Sequence, residues 1–207
     1  MRPLVKICGN TNVNDARICL EQGADMLGFI FYTKSPRFID PQRAGDIISV
    51  LKKDFTFESV AVFVDPQKEF VDNIIAKTHI DMLQFHGEEL LSFIKKFSKK
   101  IIKAFRIKDN ADILKCDEYN SADYFLFDAF SNESYGGTGK VFNWNILLNF
   151  HYRDRLFLSG GISAGNVKDA VTKVKPYAVD LASGVEKSPG VKDIKKIKEF
   201  FSVINSM

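Results

Sequence analysis

The sequence predicts an α/β protein folded as a single (βα)8 barrel over residues 1–207. Three observations point there. Short apolar runs rich in β-branched residues recur at 4–7, 26–31, 60–64, 82–85, 101–105, 124–127, 156–158 and 178–181. They are nearly continuous rather than alternating, as in strands covered on both faces of a parallel sheet. Amphipathic stretches lie between them, so strand and helix alternate eight times, the order produced by right-handed parallel crossovers. Residues able to do chemistry follow many of these runs, and no GxGxxG follows the first. A closed barrel gathers such residues at one rim, whereas an open doubly wound sheet collects them at one switch point.

Each helical segment has its own signal. Residues 13–21 place Ala16, Ile18, Cys19 and Leu20 around one side. Residues 41–51 open on Pro41, a first-turn position where the missing N–H costs little. Stretches 70–78, 89–97, 164–174 and 191–204 carry the same pattern, and 111–119 and 143–150 complete the set. At 207 residues the chain is short for this fold, for which about 250 is typical, so its loops must be short.

Composition narrows the function. Net charge is +3 and the Lys-rich stretch near the C-terminus reads as a solvated helix face, so no nucleic-acid partner is expected. No run of about 20 apolar residues exists and the N-terminus lacks a signal-peptide core, so no membrane span and a cytoplasmic location are expected. The three cysteines, Cys8, Cys19 and Cys116, form no CxxC pair and only three histidines are present, which argues against disulfides and a metal centre. Cys19 and Cys116 lie on helical segments and read as packing, and His79 and His151 as surface residues.

The strand ends carry the candidate chemistry. Ser159-Gly160-Gly161 follows the seventh run and Ser183-Gly184 the eighth. Glycine lets a phosphate oxygen approach the main chain, and the loops after strands 7 and 8 are the usual phosphate seat of this fold. Cys8 leaves the first run, and Lys6, two residues earlier, shares its face of the strand. A cation there is expected to lower the thiol pKa and make a thiolate base. Asp128 ends the sixth run, after Phe125-Leu126-Phe127, where desolvation is expected to suit it to general-acid work. Arg37, after Pro36, could grip a carboxylate with two parallel hydrogen bonds. Gly136-Gly137-Thr138-Gly139 lies in a long loop, 129–141, that could cover a ligand. His86 and Arg106 also reach the rim, His86 as a pocket wall.

Taken in order, these motifs resemble the phosphoribosylanthranilate isomerase family along nearly the whole chain. The resemblance rests on Lys6-Ile7-Cys8-Gly9 with Thr11, Ser35-Pro36-Arg37, Gln84-Phe85-His86-Gly87, Asp128, Gly136-Gly137-Thr138-Gly139, Leu158-Ser159-Gly160-Gly161 and Asp180-Leu181-Ala182-Ser183-Gly184-Val185-Glu186. Asn10 departs from the family pattern, which usually has an aliphatic residue there. The resemblance implies an Amadori rearrangement of N-(5-phosphoribosyl)anthranilate in tryptophan biosynthesis, without cofactor or metal, by a monomer or homodimer. It implies Cys8 as base, Asp128 as acid and Arg37 on the anthranilate carboxylate. It also implies phosphate binding by the backbone near Gly137, Gly161, Ser183 and Gly184. Two alternatives stand beside it. The histidine-pathway isomerase of the same reaction type has an aspartate where Cys8 stands, and repeated halves, which this chain lacks. A non-catalytic binder of phosphorylated ligands would keep the rim without turnover.

Overall fold

The computed structural model describes residues 2–129 and 142–207. Eight parallel strands close into a barrel in chain order, the last pairing with the first. They are β1 (Leu4–Ile7), β2 (Met26–Ile30), β3 (Glu58–Phe63), β4 (Met82–Phe85), β5 (Lys100–Ile107), β6 (Tyr124–Ala129), β7 (Leu156–Leu158) and β8 (Ala178–Leu181). The helices described are α1 (Val13–Gln22), α2 (Pro41–Leu51), α3 (Lys68–Thr78), α4 (Leu91–Ile94), α5 (Asn110–Leu114), α6 (Val167–Val174) and α7 (Ile194–Asn205). Among the described residues no helix is long and apolar enough to cross a membrane.

The two-residue period of the strands sorts side chains into two cores. Val5, Ile7, Leu27, Phe29, Ala61, Phe63, Phe125, Phe127, Val179 and Leu181 belong to the large cluster that joins sheet and helices. Alternate positions Met26, Val60, Met82, Ile102, Ala104, Leu126, Phe157 and Ala178 form a second cluster that plugs the barrel. Fully burying side chains of this size contributes about 1.5–3 kcal/mol each. Two residues further along the same inward rows, apolar residues give way to Gly28, Gln84, Asp128, Ser159 and Asp180. The plug thus forms the floor beneath a polar upper chamber.

Local signals explain the element ends that match expectation. Asn12 accepts the Asp15 N–H at the start of α1, and Gly23, at φ +109°, ends it. Asp40 accepts from the Gln42 and Arg43 N–H groups ahead of Pro41. Elsewhere the expected helices shrink. Stretch 89–97 yields only the single turn of α4, because Glu89 is drawn inward to accept the N–H groups of Asp65 and Gly87 and the Lys103 ammonium. Stretch 143–150 forms a 3-10 turn at Trp144–Leu147 instead of an α-helix. Stretch 111–119 passes from α5 into 3-10 geometry at Lys115–Tyr119. Residues 164–166 precede α6, since Asn166 folds back to accept the Ser163 N–H and donate to the Gly161 carbonyl. The last helix starts at Ile194, capped by Asp193, because Val191–Lys192 (β10) pairs antiparallel with Glu186–Ser188 (β9) outside the barrel.

Candidate active site

A cavity of about 470 Å³ opens at the C-terminal end of the barrel strands, on the polar side of the plug. Cys8, Arg37, Asp128, Gly161, Ser183 and Gly184 all line it. Of the residues singled out from sequence, Gly137 and the 136–139 motif lie outside the described residues.

Cys8 is 6% exposed and sits on the wall formed by β1. Lys6 lies below it on the same inward row, and its ammonium and the thiol both border Gly28. The Lys6 ammonium, wholly buried, donates to Asp180 Oδ1 at 2.6 Å, and Ser159 Oγ donates to Asp180 Oδ2 at 3.2 Å. Lys6 and Asp180 are direct partners in the β1–β8 register. This changes the expected behaviour of the thiol. Burial pushes the Cys8 pKa up, Lys6 opposes that rise, and Asp180 adds to it. The net direction is upward, because burial outweighs the nearby Lys6 and Lys192 charges, and Asp180 offsets part of the lysine effect. Burial likewise disfavours the Lys6 ammonium, but Asp180 and Cys8 outweigh it and raise the Lys6 pKa.

Gly28 explains how thiol and ammonium fit side by side. A Cβ there would lie 2.8 Å from Cys8 Sγ and 3.1 Å from Lys6 Nζ. The unexpected Asn10 is fully buried beside it and donates to the carbonyls of Ile7 and Gly28 at 2.8 and 3.1 Å, bracing the end of β1 against β2.

Asp128 is 4% exposed at the end of β6. Its Oδ1 accepts the Ala129 N–H at 2.9 Å, and its Oδ2 stands 3.6 Å from His86 Nε2. Gln84 Nε2 lies 3.1 Å from His86 Nδ1, so donation from the amide would leave the proton on Nε2, toward Asp128. The sequence placed His86 as a wall of the pocket; the structure adds that it abuts the Asp128 carboxyl.

Arg37 is 8% exposed and does not sit loose in the cavity. Its Nε donates to both oxygens of Glu186 at 3.0 Å and its Nη2 to Oε2 at 2.7 Å. One edge of the guanidinium is therefore taken, and the end-on edge is left for a ligand carboxylate. Gly9, at φ +73°, keeps clear of the Arg37 stem, which a Cβ would approach to 2.7 Å. Burial alone would raise the Glu186 pKa, but Arg37 and Lys192 outweigh it and hold that carboxyl below its ordinary range.

The two glycine loops form one surface. Gly160 and Gly161 have φ of +84° and +67°, and a Cβ on Gly184 would overlap the Ile162 carbonyl. The loops after β7 and β8 thus interlock with main chain exposed to the cavity. Directly after β8 the chain forms a 3-10 turn, Ser183–Val185, and the expected helix follows only after the hairpin.

Sequence reasoning passed over Asp180, Lys192 and the structural part of Glu186. The available signal was a charge at an inward position of a strand, which calls for a buried partner. Period alone does not say which partner.

Comparison with known proteins places this arrangement. The family model described as N-(5'phosphoribosyl)anthranilate (PRA) isomerase matches residues 5–203. An N-(5'-phosphoribosyl)anthranilate isomerase of Geotalea uraniireducens is 43% identical over 196 residues, 95% of each chain. The crystal structure of phosphoribosyl anthranilate isomerase from Thermotoga maritima superposes with a TM-score of 0.90 at 36% identity, covering 99% of this chain and 100% of that one. A phosphoribosyl anthranilate isomerase in complex with reduced 1-(o-carboxyphenylamino)-1-deoxyribulose 5-phosphate gives a TM-score of 0.86 at 35% identity, over 99% and 100% of the two chains.

Proposed function

This chain belongs to the N-(5'-phosphoribosyl)anthranilate isomerase family, and we propose that Cys8 is the general base and Asp128 the general acid of the isomerisation it catalyses. The reaction is the Amadori rearrangement of N-(5-phosphoribosyl)anthranilate, a step of tryptophan synthesis. One observation carries the assignment of roles. Cys8, Asp128 and Arg37 line the same cavity as the two glycine loops, at the strand ends where barrel enzymes hold their substrates.

The roles follow from the chemistry. The backbone around Gly161, Ser183 and Gly184 holds the phosphate, and the family resemblance adds Gly137, which lies outside the described residues. The end-on edge of Arg37 holds the anthranilate carboxylate. Asp128 gives its proton to the furanose ring oxygen, and the C1–O bond breaks to leave a protonated Schiff base. That positive charge acidifies the hydrogen on C2, and it also favours the Cys8 thiolate against the burial that raises the thiol pKa, the thiol proton leaving to solvent. Cys8 takes the C2 proton to give an enolamine. Moving the hydroxyl proton of C2 to C1 yields the ketose, and exchange with solvent takes the proton from Cys8 and returns one to Asp128, so atoms and electrons are conserved. Hydrogen moves within one substrate, so the step calls for no redox cofactor. The substrate class is a phosphorylated small molecule, and we read the enzyme as cytoplasmic, working as a monomer or homodimer.

The test is turnover on freshly generated phosphoribosylanthranilate, followed by loss of substrate fluorescence. Wild-type protein should turn over, and Cys8→Ala should bind product yet show no turnover. Full activity in Cys8→Ala would remove the thiol from the reaction. Tight product binding by an inert wild-type protein would favour a ligand-binding role.

A further inference from the structure

The hairpin at 186–192 enters no step of the reaction, yet it carries two deeply buried charges. The Glu186 and Lys192 side chains are 3% and 1% exposed. Glu186 accepts from Arg37, from the Lys192 ammonium at 3.1 Å and from the Gly190 N–H at 3.2 Å. Lys192 Nζ donates onward to the backbone carbonyl of Cys8 at 2.5 Å. An unbroken chain of hydrogen bonds therefore runs from the Arg37 guanidinium to the main chain of Cys8. The hairpin itself is tied down: the Lys192 N–H donates to Asp15 Oδ2 at 2.7 Å, and the Thr11 hydroxyl to the Gly190 carbonyl at 2.5 Å.

The charge order matters as much as the contacts. Arg37, Glu186 and Lys192 alternate plus, minus, plus, and leave one net positive charge beside the cavity. Glu186 alone would cancel Arg37 for an incoming anion; Lys192 restores the attraction. Buried charges tolerate such a setting only when each is paired and hydrogen-bonded, as these are. A carboxylate at the open edge of Arg37 would complete four alternating charges.

We propose that Glu186 and Lys192 are positioning residues that hold Arg37 and Cys8 in one rigid frame, so that a substrate gripped by its carboxylate presents its C2 hydrogen to the thiol. This rests on the roles given above to Arg37 and Cys8.

A double-mutant cycle tests it. Glu186→Gln should raise KM about tenfold in the wild-type background and leave it nearly unchanged in Arg37→Ala, as for a residue acting through another. Equal increases in both backgrounds overturn the proposal. If the carboxamide variant does not fold, Glu186→Asp, which keeps the charge but withdraws it, reads the same cycle. Lys192→Met should lower kcat and slow alkylation of Cys8 by iodoacetamide, each by about tenfold, and Lys192→Arg should recover most of both. Unchanged alkylation and kcat in Lys192→Met overturn the link to Cys8. If Arg37→Ala itself leaves KM unchanged, the carboxylate grip fails instead, and the alkylation rates still decide whether the hairpin holds the thiol.

Discussion

The Lys6 ammonium lies 2.6 Å from Asp180 Oδ1, at partnered positions of adjacent strands, with both side chains buried beneath Cys8. The thiol therefore shares its cation with a carboxylate. The two neighbours push it in opposite directions, Lys6 down and Asp180 up. Lys6→Met should move the thiol titration to higher pH, and Asp180→Asn should move it lower by releasing Lys6 to pair with the thiolate. Because burial already holds the thiol above its ordinary 9.0, wild-type kcat/KM should still be climbing as pH rises from neutrality. Alkylation rate against pH for the three proteins measures this; parallel profiles would show that the pair does not act on Cys8.

Asp128→Asn keeps the shape of the side chain and an oxygen to accept the Ala129 N–H, but has no proton to give. A fall in kcat on the order of 10³-fold is expected, within the usual range for a general acid. Steady-state kinetics with a circular-dichroism check of folding measures it, and an unchanged kcat would refute the acid role.

Arg37→Ala should raise KM by roughly 10- to 100-fold, the value of hydrogen bonds to a charged group, with little change in kcat. A substrate analogue lacking the carboxylate should bind wild type and variant alike. Discrimination between them by that analogue would place the arginine against another part of the substrate.

Gly28→Ala introduces a carbon 2.8 Å from Cys8 Sγ, with the backbone of Cys8 close behind at 3.1 Å. The expected result is a marked loss of kcat together with about 1–3 kcal/mol of overpacking strain. Gly165→Ala, which meets only Ser163 Oγ at 3.9 Å, is the control and should retain activity. Equal kinetics for the two variants would mean that the thiol position is not critical.

The Glu186 carboxyl titrates below its ordinary 4.5 in the folded protein, so its contribution to stability is present above that value and is lost as pH falls through the lower, folded one. Glu186→Gln should cost about 3 kcal/mol at neutral pH, because two buried cations lose their shared partner. The variant should then lose less on further acidification than wild type does. Urea denaturation from about pH 7 to about pH 3 tests both statements, and parallel stability curves would exclude Glu186 as a source of acid sensitivity.

Much of the fold was legible because local chemistry and the global fold agree. Stretch 41–51 is helical over its full expected length, with Asp40 and Pro41 both marking its start. Where local pattern and tertiary demand conflict, pattern loses: 89–97 is amphipathic, yet Glu89 is required inside by two N–H groups and by Lys103, and one turn remains. Residues 191–192 fit a helical pattern too, but Lys192 must reach the Cys8 carbonyl from a strand.

The order of strands and helices was readable along the chain, because parallel crossover units bury their apolar faces in few ways, and the spread of reactive residues over many strand ends separated a closed barrel from an open sheet. The residues that end on the functional rim were readable too, since side-chain direction follows the two-residue period. Which charges meet depends instead on the folded packing. Lys6 finds Asp180 across 174 residues, and Arg37 finds Glu186 across 149. Those encounters limit how far Lys6 can counter the burial of the Cys8 thiol, and leave one edge of Arg37 open. A pattern along the chain records which face a residue occupies, while a buried charge depends on the few atoms within about 4 Å of it.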